Sequence, residues 1–224
     1  MNYNSAYLWE KSREGEVSSI SLVLQQAVVR RREVVLACIS EGKSGGETGI
    51  TESGYFTEGL TEWFHKELLQ LCERKGDEDI GRSLERVLER LHKEIGHYVQ
   101  KKGKRCNLHY VGVVCVGDAF WLFQQGDCVC YLLNKRYNRK HMKRMEADRQ
   151  GKEAYLQGKL QKKVGLLFCT SGYGSCLKPE EVAEVLVTEG SCSEERMQKR
   201  LQELWQENRR RGEKQAVGAI WLKV

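Results

Sequence analysis

The chain has 224 residues, enough for a domain with a sizeable core, and its 37 basic and 31 acidic residues leave a formal charge of only +6. A charge this small does not by itself indicate nucleic-acid binding. Nine cysteines, scattered through apolar runs without a CxxC pair, suit a reducing compartment and show no zinc-type spacing. Because no apolar run is long enough to span a membrane, we expect one cytoplasmic domain covering residues 1–224.

The first half of the chain predicts three strands followed by two helices. Apolar and β-branched residues favour an edge strand and then a hairpin, at residues 1–13, 17–29 and 34–39. The dense glycines that follow, within residues 45–54, predict a turn. Apolar residues at spacings of three and four then predict two helices that each lay an apolar stripe on a sheet, at residues 57–74 and 79–101.

The second half predicts a strand meander, two further helices and a closing strand. The strands are expected at residues 108–116, 119–123, 127–133, 155–163, 164–170 and 216–224. Pro179 and Ser193 mark the starts of the two helices. The basic segment 134–151 contains few apolar residues, which predicts a mobile loop or a short polar helix. This order of elements favours the α+β fold class, an antiparallel β-sandwich flanked by helices.

Three of the predicted strands are associated with turns that place a polar side chain beside a glycine. These side chains are Glu41, Asp127 and Ser171. An apolar strand that delivers a carboxylate into a glycine turn is a common way to present a metal or phosphate site, so the turns predict one site at a sheet edge. Residues 37–44 also fit a loose phosphate-loop pattern, but the glycines after them argue against the helix that this mechanism needs.

The order of these elements and turns resembles the PPM family, the type 2C metal-dependent serine/threonine phosphatases. The family's Asp-Gly-Met-Gly-Gly turn is similar to residues 41–46, EGKSGG, and its Gly-Asp-Ser-Arg turn is similar to residues 126–129, GDCV. Its leucine-rich strand before Ser-Asp-Gly is similar to residues 166–172, LLFCTSG, and its closing Asp-Asn falls at Lys214 and Gln215. The resemblance implies a four-layer α-β-β-α sandwich.

The resemblance also implies a reaction at two divalent cations held by carboxylates, yet most of those positions are substituted in this chain. The first keeps a carboxylate as Glu41, followed by Gly42, whereas the others correspond to Ser171 and Lys214. The family's phosphate-binding arginine and acid pair would lie near residues 17–23, which contain neither an arginine nor an acid. We therefore expect a degenerate member with no catalytic residues and no resident metal or other cofactor.

Three functions remain open at this point. The first is a pseudophosphatase that acts through binding in bacterial-type phospho-signalling. The second is a divergent active phosphatase that uses Mg²⁺ or Mn²⁺ and recruits other carboxylates, such as Glu47, Glu52 or Glu213. The third is a basic interaction module without catalysis.

Candidate binding residues lie in the basic segment, where cations can contact an acidic partner. They are Lys135, Arg136, Arg139, Lys140, Lys143 and Arg144. Tyr137 is the only aromatic residue that this segment offers for base stacking. We therefore do not expect nucleic acid as the partner. A phosphoprotein or an acidic protein is the expected partner.

Overall fold

Ten strands form two five-stranded sheets in the computed structural model, which describes residues 3–10, 19–44, 46–74, 78–137, 139–145, 155–173, 175–188 and 192–224. In spatial order, the first sheet contains β1 (Asn4–Glu10), β10 (Val217–Lys223), β9 (Gly165–Cys169), β6 (Val129–Arg136) and β7 (Arg139–Met145). The second contains β2 (Ile20–Val29), β3 (Arg32–Gly42), β4 (Leu108–Val116), β5 (Ala119–Gln125) and β8 (Tyr155–Lys159). Every neighbouring pair is antiparallel.

The helices lie in two groups along the chain. The first group is α1 (Gly46–Trp63), a π-helical turn (Phe64–Leu68), α2 (Leu69–Glu73) and α3 (Glu78–Lys101). The second group is α4 (Pro179–Leu186) and α5 (Glu194–Arg210). Ser193 caps α5 by accepting the backbone N–H of Arg196 at 3.4 Å, which satisfies one of the free donors at the helix start.

The four layers are held by three apolar clusters, one between the sheets and one under each helix layer. The unbroken apolar run of β3 reflects burial on both faces. Leu36 packs outward with Leu84 of α3, whereas Ile39 points inward and packs with Phe168 and Ile220 of the other sheet. The predicted fold class, an antiparallel β-sandwich flanked by helices in four layers, is therefore confirmed.

The start of the first helix was predicted wrongly. α1 begins at Gly46, within the glycine run that predicts a turn, because tertiary contacts outweigh the low helix propensity of glycine. The Ser40 hydroxyl donates to the backbone oxygen of Ser53 at 3.1 Å, which ties α1 to the centre of its sheet. A helix thus does follow residues 37–44, but β3 lies between antiparallel neighbours, unlike the strand of a phosphate-loop fold.

The basic segment also differs from its prediction. Residues 134–151 were expected to form a loop or a short helix, but β6 extends to Arg136 and the next strand, β7, begins at Arg139. The two strands pair in register from Cys130 opposite Met145 to Arg136 opposite Arg139. The sequence did not predict β7 because this edge strand has only two apolar residues, Met142 and Met145, and so lacks the alternating apolar pattern of a buried strand. Residues 138 and 146–151 lie outside the described part.

Among the described residues, no helix is both long enough and apolar enough to cross a membrane.

Replacing a buried leucine of α3 tests the packing of the outer helix layer. Leu84 is fully buried against the sheet. We expect Leu84→Ala to lower the free energy of unfolding by about 2–5 kcal/mol, because it removes buried methyl groups and leaves a cavity. Urea denaturation measures this change. The matched control, Glu89→Ala on the exposed face of α3, should change it by less than about 0.5 kcal/mol. Equal effects of the two substitutions would contradict the assigned faces.

Candidate functional site

The candidate site lies at one end of the sandwich, where β3 finishes. Side chains alternate along β3, so Glu41 follows Ile39 onto the face that looks toward the other sheet. In the register of β3 and β4, Glu41 lies opposite His109. The turn before β6 brings Asp127 to the same place, since Asp127 contacts His109. Two of the three predicted turns, those of Glu41 and Asp127, are thus brought together.

A lysine from the same chain lies between these two carboxylates. The Nζ atom of Lys43 is 2.8 Å from Oδ2 of Asp127 and 3.8 Å from Oε2 of Glu41. The backbone N–H of Lys43 donates to the backbone oxygen of Asn107 at 2.8 Å, which fixes where its side chain starts. The single charge of the ammonium group therefore offsets part of the negative charge of the two carboxylates.

His109 supports the turn that carries Asp127. The backbone N–H of Asp127 donates to Nδ1 of His109 at 2.9 Å, and Nε2 of His109 lies 2.9 Å from Oδ1 of Asn107. Because Nδ1 accepts a hydrogen bond, the ring proton is on Nε2 and the imidazole is neutral. Burial, followed by the nearby Lys43 ammonium, lowers the pKa of His109 and favours this neutral form.

Burial and charge act in opposite directions on the two central groups. Burial raises the pKa of the Glu41 carboxyl above its usual value, the Lys43 ammonium opposes this, and Asp127 adds to it. Burial alone would lower the pKa of Lys43, but its hydrogen bond to Asp127 and the charge of Glu41 raise that pKa overall. Oε2 of Glu41 is buried and accepts no hydrogen bond from the described residues, so Lys43 provides its main electrostatic compensation.

A second buried carboxylate, Glu52, lies near this cluster; its Oε1 links two segments of the chain, and its Oε2 is buried with no hydrogen-bond partner among the described residues. Glu52 of α1 is fully buried, and its Oε1 accepts the hydroxyl of Ser44 at 2.6 Å and the backbone N–H of Asn107 at 3.3 Å. These bonds join the start of α1 to the segment before β4. Glu47, the other acid suggested in this region, has a side chain outside the described part.

The remaining predicted positions lie at the ends of β9 and β10. Ser171 and Lys214 are both exposed, in the turns after β9 and before β10. The two strands are joined here because the N–H of Gly218 donates to the Thr170 hydroxyl at 3.1 Å. The Glu213 carboxylate already accepts hydrogen bonds from its own turn: its Oε1 accepts the backbone N–H groups of Lys214 and Gln215, each at 2.8 Å.

These side chains do not match the donors that a pair of Mg²⁺ or Mn²⁺ ions requires. Such ions prefer several carboxylate oxygens, and two adjacent ions need bridging carboxylates. Glu41 and Asp127 are available only on either side of the Lys43 ammonium, while Ser171 supplies a hydroxyl and Lys214 a cation. Within the described residues, no three His, Cys, Asp or Glu side chains converge into a metal-binding group.

The six basic residues predicted for partner binding do not form one surface, because strands turn alternate side chains to opposite faces. Met142 packs under the helix layer and Met145 between the sheets, which fixes the two faces of β7. The face toward α4 carries Lys135, Lys140 and Arg144, and the opposite face carries Arg136, Arg139 and Lys143. Lys140 is already paired with Glu184, at 2.9 Å.

Sequence reasoning missed the side chain that matters most, Lys43. It stands inside the EGKSGG run that was compared with the family's first turn, two residues after Glu41. The sequence did contain a clue to its role, because a cation stands two residues after the retained carboxylate. His109 gave no such signal, because its place opposite Glu41 depends on the register of two strands that are distant in sequence.

The fold around this site is that of the PPM-type serine/threonine phosphatases. Among solved structures, the chain is similar to the serine/threonine phosphatase Stp1 from Staphylococcus aureus, with a TM-score of 0.79 and 14% identity, covering 100% of this chain and 96% of the other. It is also similar to the catalytic domain of the phosphatase PstP in complex with two manganese ions, with a TM-score of 0.76, 13% identity and coverage of 99% and 97%.

A third similar structure is PppA, described as a key regulatory component of the type VI secretion system in Pseudomonas aeruginosa. Its TM-score is 0.73 at 13% identity, with coverage of 100% of this chain and 98% of that chain. No protein-family model and no curated protein sequence matches the chain. At these identities, the likeness establishes the fold.

The raised pKa of Glu41 predicts how stability varies with pH. A carboxyl whose pKa is higher in the folded than in the unfolded chain adds no penalty below its unfolded pKa, and it destabilises the fold progressively as pH rises through its folded pKa. Glu41→Gln cannot ionise. Relative to the wild type, it should therefore gain stability progressively as pH rises above about 4, the usual pKa of a glutamate.

Urea denaturation of both proteins at several pH values measures this difference. The matched control is Glu89→Gln on the exposed face of α3, whose stability relative to wild type should stay nearly constant with pH. If the relative stability of Glu41→Gln fell as pH rose, the Lys43 ammonium would outweigh burial, and the assigned balance of the two effects would be wrong.

Proposed function

We propose that this chain is a pseudophosphatase: a protein with the PPM phosphatase fold that acts in phospho-signalling through binding and does not hydrolyse phosphoesters. The observation that carries the proposal is the position of Lys43, whose ammonium lies 2.8 Å from Asp127 and 3.8 Å from Glu41. An internal cation thus occupies the space between the two carboxylates on which a divalent ion would depend.

Electrostatics supports this proposal. At about 4 Å and an effective dielectric near 20, two like unit charges repel by about 4 kcal/mol, so a divalent ion beside Lys43 would meet roughly twice that repulsion. The Lys43 side chain is 30% exposed and could swing away, but it would then leave its hydrogen bond with Asp127. Metal binding must therefore compete with an ion pair that the fold already makes.

The other family positions point in the same direction. Ser171 offers a neutral hydroxyl where the resemblance expects a carboxylate, and Lys214 adds a further cation. A two-metal displacement needs one ion to activate water and a second to hold the leaving group, and this needs more oxygen ligands than one or two carboxylates supply. The proposed role is therefore binding, with a protein as the partner.

The first test measures turnover. We expect purified protein to hydrolyse p-nitrophenyl phosphate in Mn²⁺ or Mg²⁺ no faster than Glu41→Ala, because neither protein can hold the pair of ions that activates water. Metal-dependent turnover in the wild type that disappears in Glu41→Ala would instead favour the divergent active phosphatase, with ligands recruited from outside the motif positions.

A second test measures Mn²⁺ affinity by calorimetry. The triple variant Lys43→Met, Ser171→Asp, Lys214→Asp removes two cations and adds two carboxylates, so it should bind Mn²⁺ at least about tenfold more tightly than the wild type. The control Lys66→Met removes an exposed lysine that pairs with Glu62 on α1, and it should leave the affinity unchanged. Equal affinity of all three proteins would contradict the assigned role of Lys43.

A further inference from the structure

A basic cleft lies at the end of the sandwich opposite the candidate site. It has a volume of about 460 Å³ and is formed by the turn after β6 and the connection between β8 and β9. Asp127 precedes β6 and Ser171 follows β9, so the cleft is separated from Asp127 by the 8 residues of β6, about 26 Å, and from Ser171 by the 5 residues of β9, about 17 Å. No residue discussed for the phosphatase-like site lines it.

Among the described residues, each charged residue that lines this cleft is a cation: Lys135, Arg136, Lys162 and Lys163. Within the described part of the chain, Arg136, Lys162 and Lys163 form no ion pair, in contrast to Lys140, which is paired with Glu184. The side chains of the four lining cations are exposed, and a groove lined by cations creates a positive surface potential that attracts anions. The cleft therefore has the electrostatic form of an anion site.

The backbone holds these cations in place. Lys163 has a left-handed conformation with φ of 68°, and its N–H donates to the backbone oxygen of Val224 at 3.1 Å. On the other wall, Tyr137 is also left-handed, with φ of 49°, and its ring is 97% exposed beside Arg136. Arg30 and Arg31, in the turn between β2 and β3, also have positive φ, so at Tyr137 and Lys163 this conformation reflects the geometry of the turns that form the walls of the cleft.

The chemistry of the cleft favours a phosphate dianion over other anions. A phosphorylated side chain carries close to two negative charges at neutral pH and three acceptor oxygens, whereas a carboxylate carries one charge. Arg136 can bind two phosphate oxygens at once, and the two lysines add point charges. A single aromatic ring provides little platform for stacked bases, which disfavours single-stranded nucleic acid.

We propose that this cleft binds the phosphorylated serine or threonine side chain of a partner protein. The proposal rests on the binding role proposed above and assigns that role to the end of the fold away from Lys43. The open shape of the cleft, between two surface turns, allows a side chain that projects from another protein to enter. Arg136, Lys162 and Lys163 are the residues that contact the phosphate.

The test measures binding of fluorescent peptide libraries by anisotropy, using phosphoserine with degenerate flanking residues and the same library without phosphate. The variant Arg136→Gln, Lys162→Gln, Lys163→Asn removes the three cations, with asparagine chosen because it tolerates the left-handed conformation. The matched control Arg82→Gln, Lys93→Gln, Lys101→Gln removes the same charge from the exposed face of α3. Thermal melting shows that each variant is folded.

The proposal predicts saturable binding of the phosphorylated library only, weakened at least about tenfold in the cleft variant and unchanged in the control. Pyrophosphate should compete, and binding should weaken as salt is raised. Absence of binding, equal binding by the cleft variant, or equal binding of the unphosphorylated library would overturn it. Tighter binding of a single-stranded RNA oligomer would assign the cleft to nucleic acid instead.

The same samples separate this proposal from the loss of catalysis. Lys43→Met leaves the cleft intact and should bind the phosphorylated library as the wild type does. If the wild type binds the library but also releases phosphate from it in Mn²⁺, the pseudophosphatase proposal fails while the cleft proposal stands. If neither binding nor release is seen, the cleft proposal fails while the loss of catalysis stands.

Discussion

The contact of Lys43 with Glu41 and Asp127 determines what this end of the sandwich can bind. Glu41 at the end of β3 and Asp127 in the turn before β6 lie within reach of one ammonium group, at 3.8 Å and 2.8 Å respectively. Like charges placed together at a sheet edge would destabilise the fold unless a cation lay between them. A divalent ion and a lysine both meet that need, and the proposed loss of catalysis rests on Lys43 taking the place of the ion.

The environment makes the two contacts unequal. The Glu41 side chain is 18% exposed, whereas that of Asp127 is 60% exposed, so solvent screens the shorter contact more than the longer one. Solvent therefore screens the contact between Lys43 and Glu41 less than the distances alone suggest, but burial still outweighs the Lys43 ammonium and raises the pKa of Glu41. The opposite end of the sandwich has a different charge distribution. There, Arg136, Lys162 and Lys163 line a cleft to which the described residues contribute no acidic side chain, and this contrast is the basis of the anion site proposed above.

The sequence predicted the parts of the fold that repeat a simple pattern. The apolar run of β3 and the apolar stripe of α3 were placed correctly, because burial on both faces or on one face imposes a period. The start of α1 was not, because contacts such as Ser40 with Ser53 outweigh local glycine propensity. β7 was missed because an edge strand needs few apolar residues. The sequence placed Glu41 and Asp127 in turns at strand ends, and the structure brings both to Lys43, but this placement depends on tertiary contacts that residue spacing does not give.

The most direct test of the central claim is the anomalous scattering of manganese in crystals grown with Mn²⁺ at millimolar concentration. Data collected on both sides of the manganese absorption edge locate the metal independently of any model. The account predicts no anomalous peak within coordination distance of Glu41 and Asp127, with density for the Lys43 side chain between the two carboxylates. A strong peak there, with Lys43 displaced from Asp127, would contradict the account and show that the site binds metal.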